Sequence, residues 1–221
     1  IETNIYEIIY KSFTKKIKVP LRIAIDRYLK FNPIKFLPEH DISIYHDARI
    51  IIFPNLINEI NRFNYDFDWI SVSHRYRKTF ESELKICFAY FKINIIDFIK
   101  IRKFSKKLGF NSKKNEYYKL SENGLIIRKN NKKVLKASKT WTTISKLTIR
   151  DQISLPITFF YLRGINIKRE FFEQNFSESN FVKVRNRKNN YPGFINSYKK
   201  LIYSTRFILI FILDLILFKY R

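Results

Sequence analysis

A single cysteine, Cys87, among 221 residues excludes an intramolecular disulfide framework and any zinc or iron–sulfur centre built on cysteine ligands. Four glycines, at positions 109, 124, 164 and 193, are too dispersed for a Walker loop or a dinucleotide fingerprint, which need closely spaced glycines so that backbone can approach phosphate. Methionine is absent, so Ile1 is not an initiator, and the sequence is expected to begin after a processed or missing start. The apolar run Phe207–Phe218 is twelve residues and contains Asp214. A spanning helix needs about twenty apolar residues, so the run is expected to be a buried strand or core helix, with no stable membrane insertion. Acidic residues are scarce: 19 Asp and Glu against 43 Lys and Arg leave a net charge of +24.

That excess implies a polyanionic partner. It is not spread evenly. Residues 31–100 carry nine basic and nine acidic side chains, whereas residues 101–150 carry fifteen and two, a local +13. The polyanion contact is therefore expected in this stretch. Here the basic residues are interleaved with Phe104, Phe110, Tyr117, Tyr118 and Trp141. Cations for phosphate, aromatic faces for unstacked bases and short polar side chains for 2′-hydroxyls form a mixture suited to RNA. With 46% hydrophobic residues, including 22 Phe and 14 Tyr, the chain has the material for a core and is not a basic tail.

Catalytic constellations are sparse. His40-Asp41 and His46-Asp47 repeat a pair six residues apart, but no third histidine stands at ligand spacing, so no metal site is expected. Asp66 and Asp68 flank Phe67, where strand alternation puts both carboxylates on one face. Such a pair can hold magnesium in a nuclease, although in this charge-balanced segment a solvated face is the expectation. Cys87 lies in the apolar context Lys-Ile-Cys-Phe-Ala and reads as a buried structural thiol. No enzyme activity and no cofactor are assigned.

Patterning predicts an α+β order. Ile5, Ile8, Ile9 and Phe13 have helical spacing, and Pro20 breaks the pattern before a second apolar stretch. An amphipathic helix from Asn55 presents Leu56, Ile57, Ile60 and Phe63. Strands are expected within Leu84–Ile101 and at Ile144–Ile149 and Ile157–Leu162, followed by a helix at Ile167–Phe176.

From Lys133 onward an ordered series emerges: Lys133-Val-Leu-Lys-Ala-Ser-Lys-Thr, Leu147-Thr-Ile-Arg150, Leu155-Pro-Ile157, then Tyr161-Leu-Arg163-Gly164. Downstream come Arg169-Glu-Phe-Phe-Glu173 and Phe181-Val-Lys-Val-Arg185-Asn186. The series resembles the fifth large-subunit ribosomal protein family, the bacterial-type protein that holds 5S rRNA in the central protuberance. That family runs from a basic stretch through a strand ending in Arg, a Pro-Ile-Gly loop and a strand ending Leu-Arg-Gly to a helix and an Arg-Val-Arg-Asp segment. The likeness covers about residues 54–190, including the helix from Leu56 to Tyr65. Thr158 stands where the family has the glycine of Pro-Ile-Gly, the Asn-Met-Gly after its first strand has no clear match around Asn94, and residues 1–53 have no counterpart.

The resemblance implies an N-terminal extension, 1–53, followed by an α+β domain, 54–221, with an antiparallel sheet and helices packed on one side. It implies large-subunit rRNA as partner, with 5S rRNA, P-site tRNA and neighbouring ribosomal proteins as further contacts. The implied RNA-binding residues are Lys132, Lys133, Lys136, Lys139, Lys146, Arg150, Arg163 and Arg185, and the loop from Thr140 to Ser145 would reach toward tRNA. A shorter stretch, Phe98-Ile-Lys-Ile-Arg-Lys-Phe-Ser105-Lys106 with Asn123-Gly-Leu125, is similar to the eighth small-subunit ribosomal protein family. The abundance of Ile, Lys, Phe, Asn and Tyr reflects A+T-rich codons and points to an organelle, the mitochondrion ahead of the plastid. An organelle-encoded membrane-complex subunit and an RNA-processing nuclease are the alternatives from other classes.

Overall fold

The computed structural model describes residues 21–111, 118–148, 150–174, 176, 178–185, 203–210 and 212. The predicted N-terminal helix around Ile5–Phe13 and most of the terminal apolar run lie outside them; within that run, residues 207–210 belong to a helical stretch over 203–210.

The described elements run α1 (Leu21–Phe31), α2 (Pro33–Phe36), β1 (Ile42–His46), β2 (Ile50–Ile52), α3 (Asn55–Asn61), β3 (Trp69–Ser73), α4 (Phe80–Ala89), α5 (Ile95–Lys107), β4 (Ser121–Lys129), α6 (Lys132–Ile144), α7 (Asp151–Tyr161), β5 (Arg169–Phe172) and β6 (Val182–Val184). The fold is α+β, as the patterning implies. Four strands form a sheet in the order β1-β4-β3-β5, and β2 pairs with β6 in a separate antiparallel ribbon. The pairs β1–β4 and β3–β4 are antiparallel, while β5 joins β3 in parallel, so the main sheet is mixed.

Strand alternation divides the core in two. Trp69 and Ile126 point to the face covered by α1, α4, α5, α6 and α7. Ile70, Val72, Leu125 and Ile127 point to the other, where they meet Leu56 and Ile60 of α3 and Val182 of the ribbon. Residues 21–53 are part of this construction, with Ala24, Tyr28 and Phe31 of α1 in the larger core and β1 a strand of the main sheet.

Three expectations are corrected. The strands expected within Leu84–Ile101 are helices α4 and α5. Of the strand expected at Ile144–Ile149, the described residues 144–148 are the end of α6 and the turn after it, and Ile157–Leu162 is the end of α7 and its cap. The helix expected at Ile167–Phe176 contains β5, whose Arg169 to Phe172 pair with Trp69 to Val72. Helix α7 misleads for a physical reason: eight of its eleven residues are buried, so it lacks the polar stripe that marks a surface helix, and a continuous apolar run reads as a strand. It also carries Pro156 in its interior, which withholds one backbone donor.

A buried ionic cluster anchors α7 to α1. The carboxylate of Asp151, in the first turn of α7, accepts from Lys30 Nζ at 2.5 Å and Arg27 Nη1 at 2.8 Å. Burial alone would raise the Asp151 pKa, but Lys30 and Arg27 outweigh it and hold the carboxyl at about 2. Nearby, the Arg128 guanidinium lies 5.1 Å from the Trp69 ring centroid and donates to Lys30 O at 2.6 Å.

Candidate nucleic-acid interface

Helix α6 is positioned from both ends of the sequence logic. Asn131 caps it, its Oδ1 accepting from Val134 N at 2.9 Å. Val134, Ala137, Ser138, Trp141 and Ile144 form the buried face. Trp141 donates from Nε1 to Ser154 Oγ of α7 at 2.8 Å and packs on Phe31 with ring centroids 4.1 Å apart. Fixing that face turns the opposite one to solvent.

Lys132, Lys136 and Lys139 stand at i, i+4 and i+7, hence in one row along the exposed face. No acidic residue lies on this helix. Lys133 sits to the side, exposed, with Nζ 3.6 Å from Asp68 Oδ2. Lys146 is exposed in the turn after α6, and half-buried Arg150 precedes α7. These six predicted residues thus belong to α6 and its connection to α7.

The other two lie apart. Arg163 is in the turn beyond the far end of α7, its guanidinium 4.6 Å from the Phe160 ring centroid. It does not end a strand, as the patterning had it. Arg185 follows β6, in the layer on the opposite face of the main sheet, and its backbone N donates to Arg49 O at 2.9 Å. The stretch Thr140–Ser145 is not a loop either. It is the last turn of α6 and its cap, with Thr142 and Thr143 hydroxyls donating to Ser138 O and Lys139 O at 2.9 and 3.1 Å.

Two basic groups escape the sequence reading. On α5, exposed Lys100, Lys103 and Lys107 repeat at i, i+3 and i+7. The row is legible only once the segment is seen as a helix. On the other layer Arg49, Arg75 and Lys183 border an open cavity of about 660 Å³ with Tyr76. The run Arg75-Tyr-Arg-Lys78 is its visible signal in the sequence.

The remaining candidates are tied into the structure. Asp66 pairs with Lys168 Nζ, while Asp68 accepts from Lys168 N at 2.8 Å and Asn131 Nδ2 at 2.6 Å. Among the described residues no group of three His, Cys, Asp or Glu is placed to hold a metal ion. Cys87 is buried and donates to Glu83 Oε1 at 3.1 Å, and burial together with that carboxylate pushes its thiol up to about 12. His40 and His46 are exposed. Among the described residues no helix is long and apolar enough to cross a membrane.

Comparison with known proteins finds no matching family model, no significantly similar curated protein and no significantly similar solved structure.

Proposed function

We propose that the chain is a structural RNA-binding protein of an organellar, mitochondrial ribosome, a large-subunit component that contacts rRNA at the central protuberance. The observation that carries RNA binding is the row Lys132, Lys136 and Lys139 on the exposed face of α6, with no carboxylate on the helix to compete. An aligned row of ammonium groups on a rigid support is a phosphate-tracking surface, and it binds by releasing counterions from the nucleic acid. The ribosomal assignment rests on the ordered series from Lys133 to Asn186. Its support lies in the residues alone, because α6 covers the family's basic stretch and α7 stands where the family has its Pro-Ile-Gly loop and second strand. On this reading 5S rRNA, P-site tRNA and neighbouring ribosomal proteins are the further partners.

Sedimentation of detergent-solubilised organelles, with and without EDTA, tests the proposal. Comigration with the large subunit in both conditions is the expected result. Comigration with the small subunit would transfer the chain to the eighth small-subunit family, and a position independent of both subunits would overturn the ribosomal reading.

A further inference from the structure

Helix α4 ends in a turn whose backbone conformation does not suit its residue. Phe91 N donates to Phe88 O at 3.1 Å and Lys92 N to Cys87 O at 2.8 Å, the pair of bonds that closes a helix through a left-handed residue, most often glycine. After α5 the same position holds Gly109, at φ +70°. After α4 it holds Phe91, at φ +57°. That conformation is an outlier for a bulky side chain, and burial in the core does not account for it, because Phe91 is 57% exposed. Strain kept at an exposed aromatic residue points to a role outside the core.

The helical stretch over 203–210 docks on this turn. Tyr203 packs on Tyr90 with ring centroids 4.4 Å apart, and the Arg206 guanidinium lies 3.9 Å from the Phe91 ring centroid and 4.0 Å from that of Phe88. These contacts and buried Ile210 fix one side of the helix. The other sides are equally apolar: Phe207, Ile208, Leu209 and Ile212 are all exposed, with Ile208 and Ile212 one turn apart. The described part of the run expected to be buried is therefore a surface, with only Ile210 inside. A helix apolar on every side belongs in an apolar medium.

Three features narrow what covers it. The run is twelve residues and contains Asp214, too short to span a bilayer, which takes about twenty. RNA presents phosphates, hydroxyls and base faces, none of which takes up a row of isoleucines. The neighbouring charges are cationic: Lys92 is exposed beside Phe91, and Ile96, exposed in the first turn of α5, heads a stripe continued by exposed Lys100, Lys103 and Lys107. The one acid of α5, Asp97, is half-buried and accepts from the Asn94 amide at 2.9 Å. A second copy would set these cations against their own kind, in a chain of net charge +24. Apolar side chains beside lysines match a bilayer surface, with hydrocarbon below and anionic headgroups above.

We infer that the exposed face of this helix, with Phe91 and Ile96, seats on an anionic phospholipid surface. Its apolar side chains enter the acyl boundary while Lys92, Lys100 and Lys103 meet the headgroup phosphates. The chain then lies on the membrane without crossing it. The inference uses none of the α6 lysines and goes beyond the RNA reading.

The full chain is floated with vesicles of phosphatidylcholine alone and of phosphatidylcholine with about 30% phosphatidylglycerol, at about 0.15 M and about 0.5 M salt. The higher salt screens the general attraction of a basic chain for anionic lipid and leaves apolar insertion in place. Flotation with the anionic vesicles at both salts is expected, with partition about tenfold weaker onto phosphatidylcholine alone at the lower salt. Ile208→Ser with Ile212→Ser should weaken partition by about tenfold or more, with the thermal midpoint unchanged because both side chains are exposed. Phe91→Gly, which removes the ring and suits the left-handed turn, should weaken it as well, and serves if the double variant fails to fold. Flotation that survives these replacements would overturn the face as the lipid contact. Flotation at the lower salt only would reduce the contact to the general charge of the chain and overturn the inference. Equal partition onto both vesicles would overturn the role of the lysines. Absence of flotation would overturn the inference outright, and a dimer in sedimentation equilibrium abolished by the double replacement would assign the face to a second copy.

Discussion

Asp151 shows how one buried charge ties a predicted pattern to an unpredicted contact. It opens α7, yet its partners, Arg27 and Lys30, come from α1, more than 120 positions earlier in the chain. Lys30 is 1% exposed, so its ammonium has exchanged water for this carboxylate and the ring of Tyr45, 4.7 Å from its Nζ. Removing one member of such a group strands the other, and Asp151→Asn should cost about 3–5 kcal/mol in urea unfolding. The pH dependence has a definite sign. The folded carboxyl, at about 2 against an ordinary 3.8, binds its proton more weakly than the unfolded one. Its contribution is therefore complete above pH ~4 and is lost as pH falls toward 2, a change of about 2 kcal/mol that the asparagine variant should lack. Equal acid sensitivity in the two proteins would show that the cluster is not what stabilises α7 against α1.

At the level of elements, the legible features were those whose signal is local. The helix from Asn55 has its expected Leu56 and Ile60 buried, although Pro54 takes the cap position and Ile57 is 62% exposed. Lys132, Lys136 and Lys139 came from the resemblance, and the structure aligns them because α6 is a helix. What failed was the period in segments buried on most sides: α7 shows no solvent stripe, and in α4 the residues Phe80, Glu83, Leu84, Cys87, Phe88 and Ala89 are all buried. The α7 pattern was decided by tertiary contacts, among them the bonds from Arg27 and Lys30 to Asp151, which no local window of sequence contains. The cavity bordered by Arg49, Arg75 and Lys183 was equally invisible, since it joins residues from positions 47 to 184. Helix α5 also lies partly in the stretch expected as strands, although it carries its own end signals. Asn94 Oδ1 accepts from Asp97 N at 2.8 Å at its start, and at its end Gly109 N donates to Lys106 O and Phe110 N to Ser105 O, both at 2.9 Å, around a glycine φ of +70°. A Cβ at Gly109 would meet nothing within 4 Å, so the cost of Gly109→Ala is conformational alone. Each of Asn94→Ala and Gly109→Ala should lower stability by about 1 kcal/mol, read from urea midpoints at constant slope. A neutral Gly109→Ala would mean that the helix end can relax out of the left-handed turn.

For the whole molecule, the net +24 is distributed on a frame that keeps its basic groups on separate supports. The α6 row projects from one layer, and Arg49, Lys183 and Arg185 belong to the ribbon on the other, with the main sheet between them. A contact through phosphate carries no base information, so the α6 row is expected to answer to salt and not to sequence. Each phosphate neutralised on a single strand contributes about −0.7 to the slope of log affinity against log salt. Replacing Lys132, Lys136 and Lys139 together by Gln should therefore reduce that slope by about two, by the same amount for every RNA sequence. The three side chains are exposed and α6 keeps its cap and buried face, so the thermal midpoint should hold. A slope unchanged by the triple replacement would sink the assignment of α6 as the phosphate-tracking surface. A change that depended on the RNA sequence would show that these lysines read bases as well as backbone.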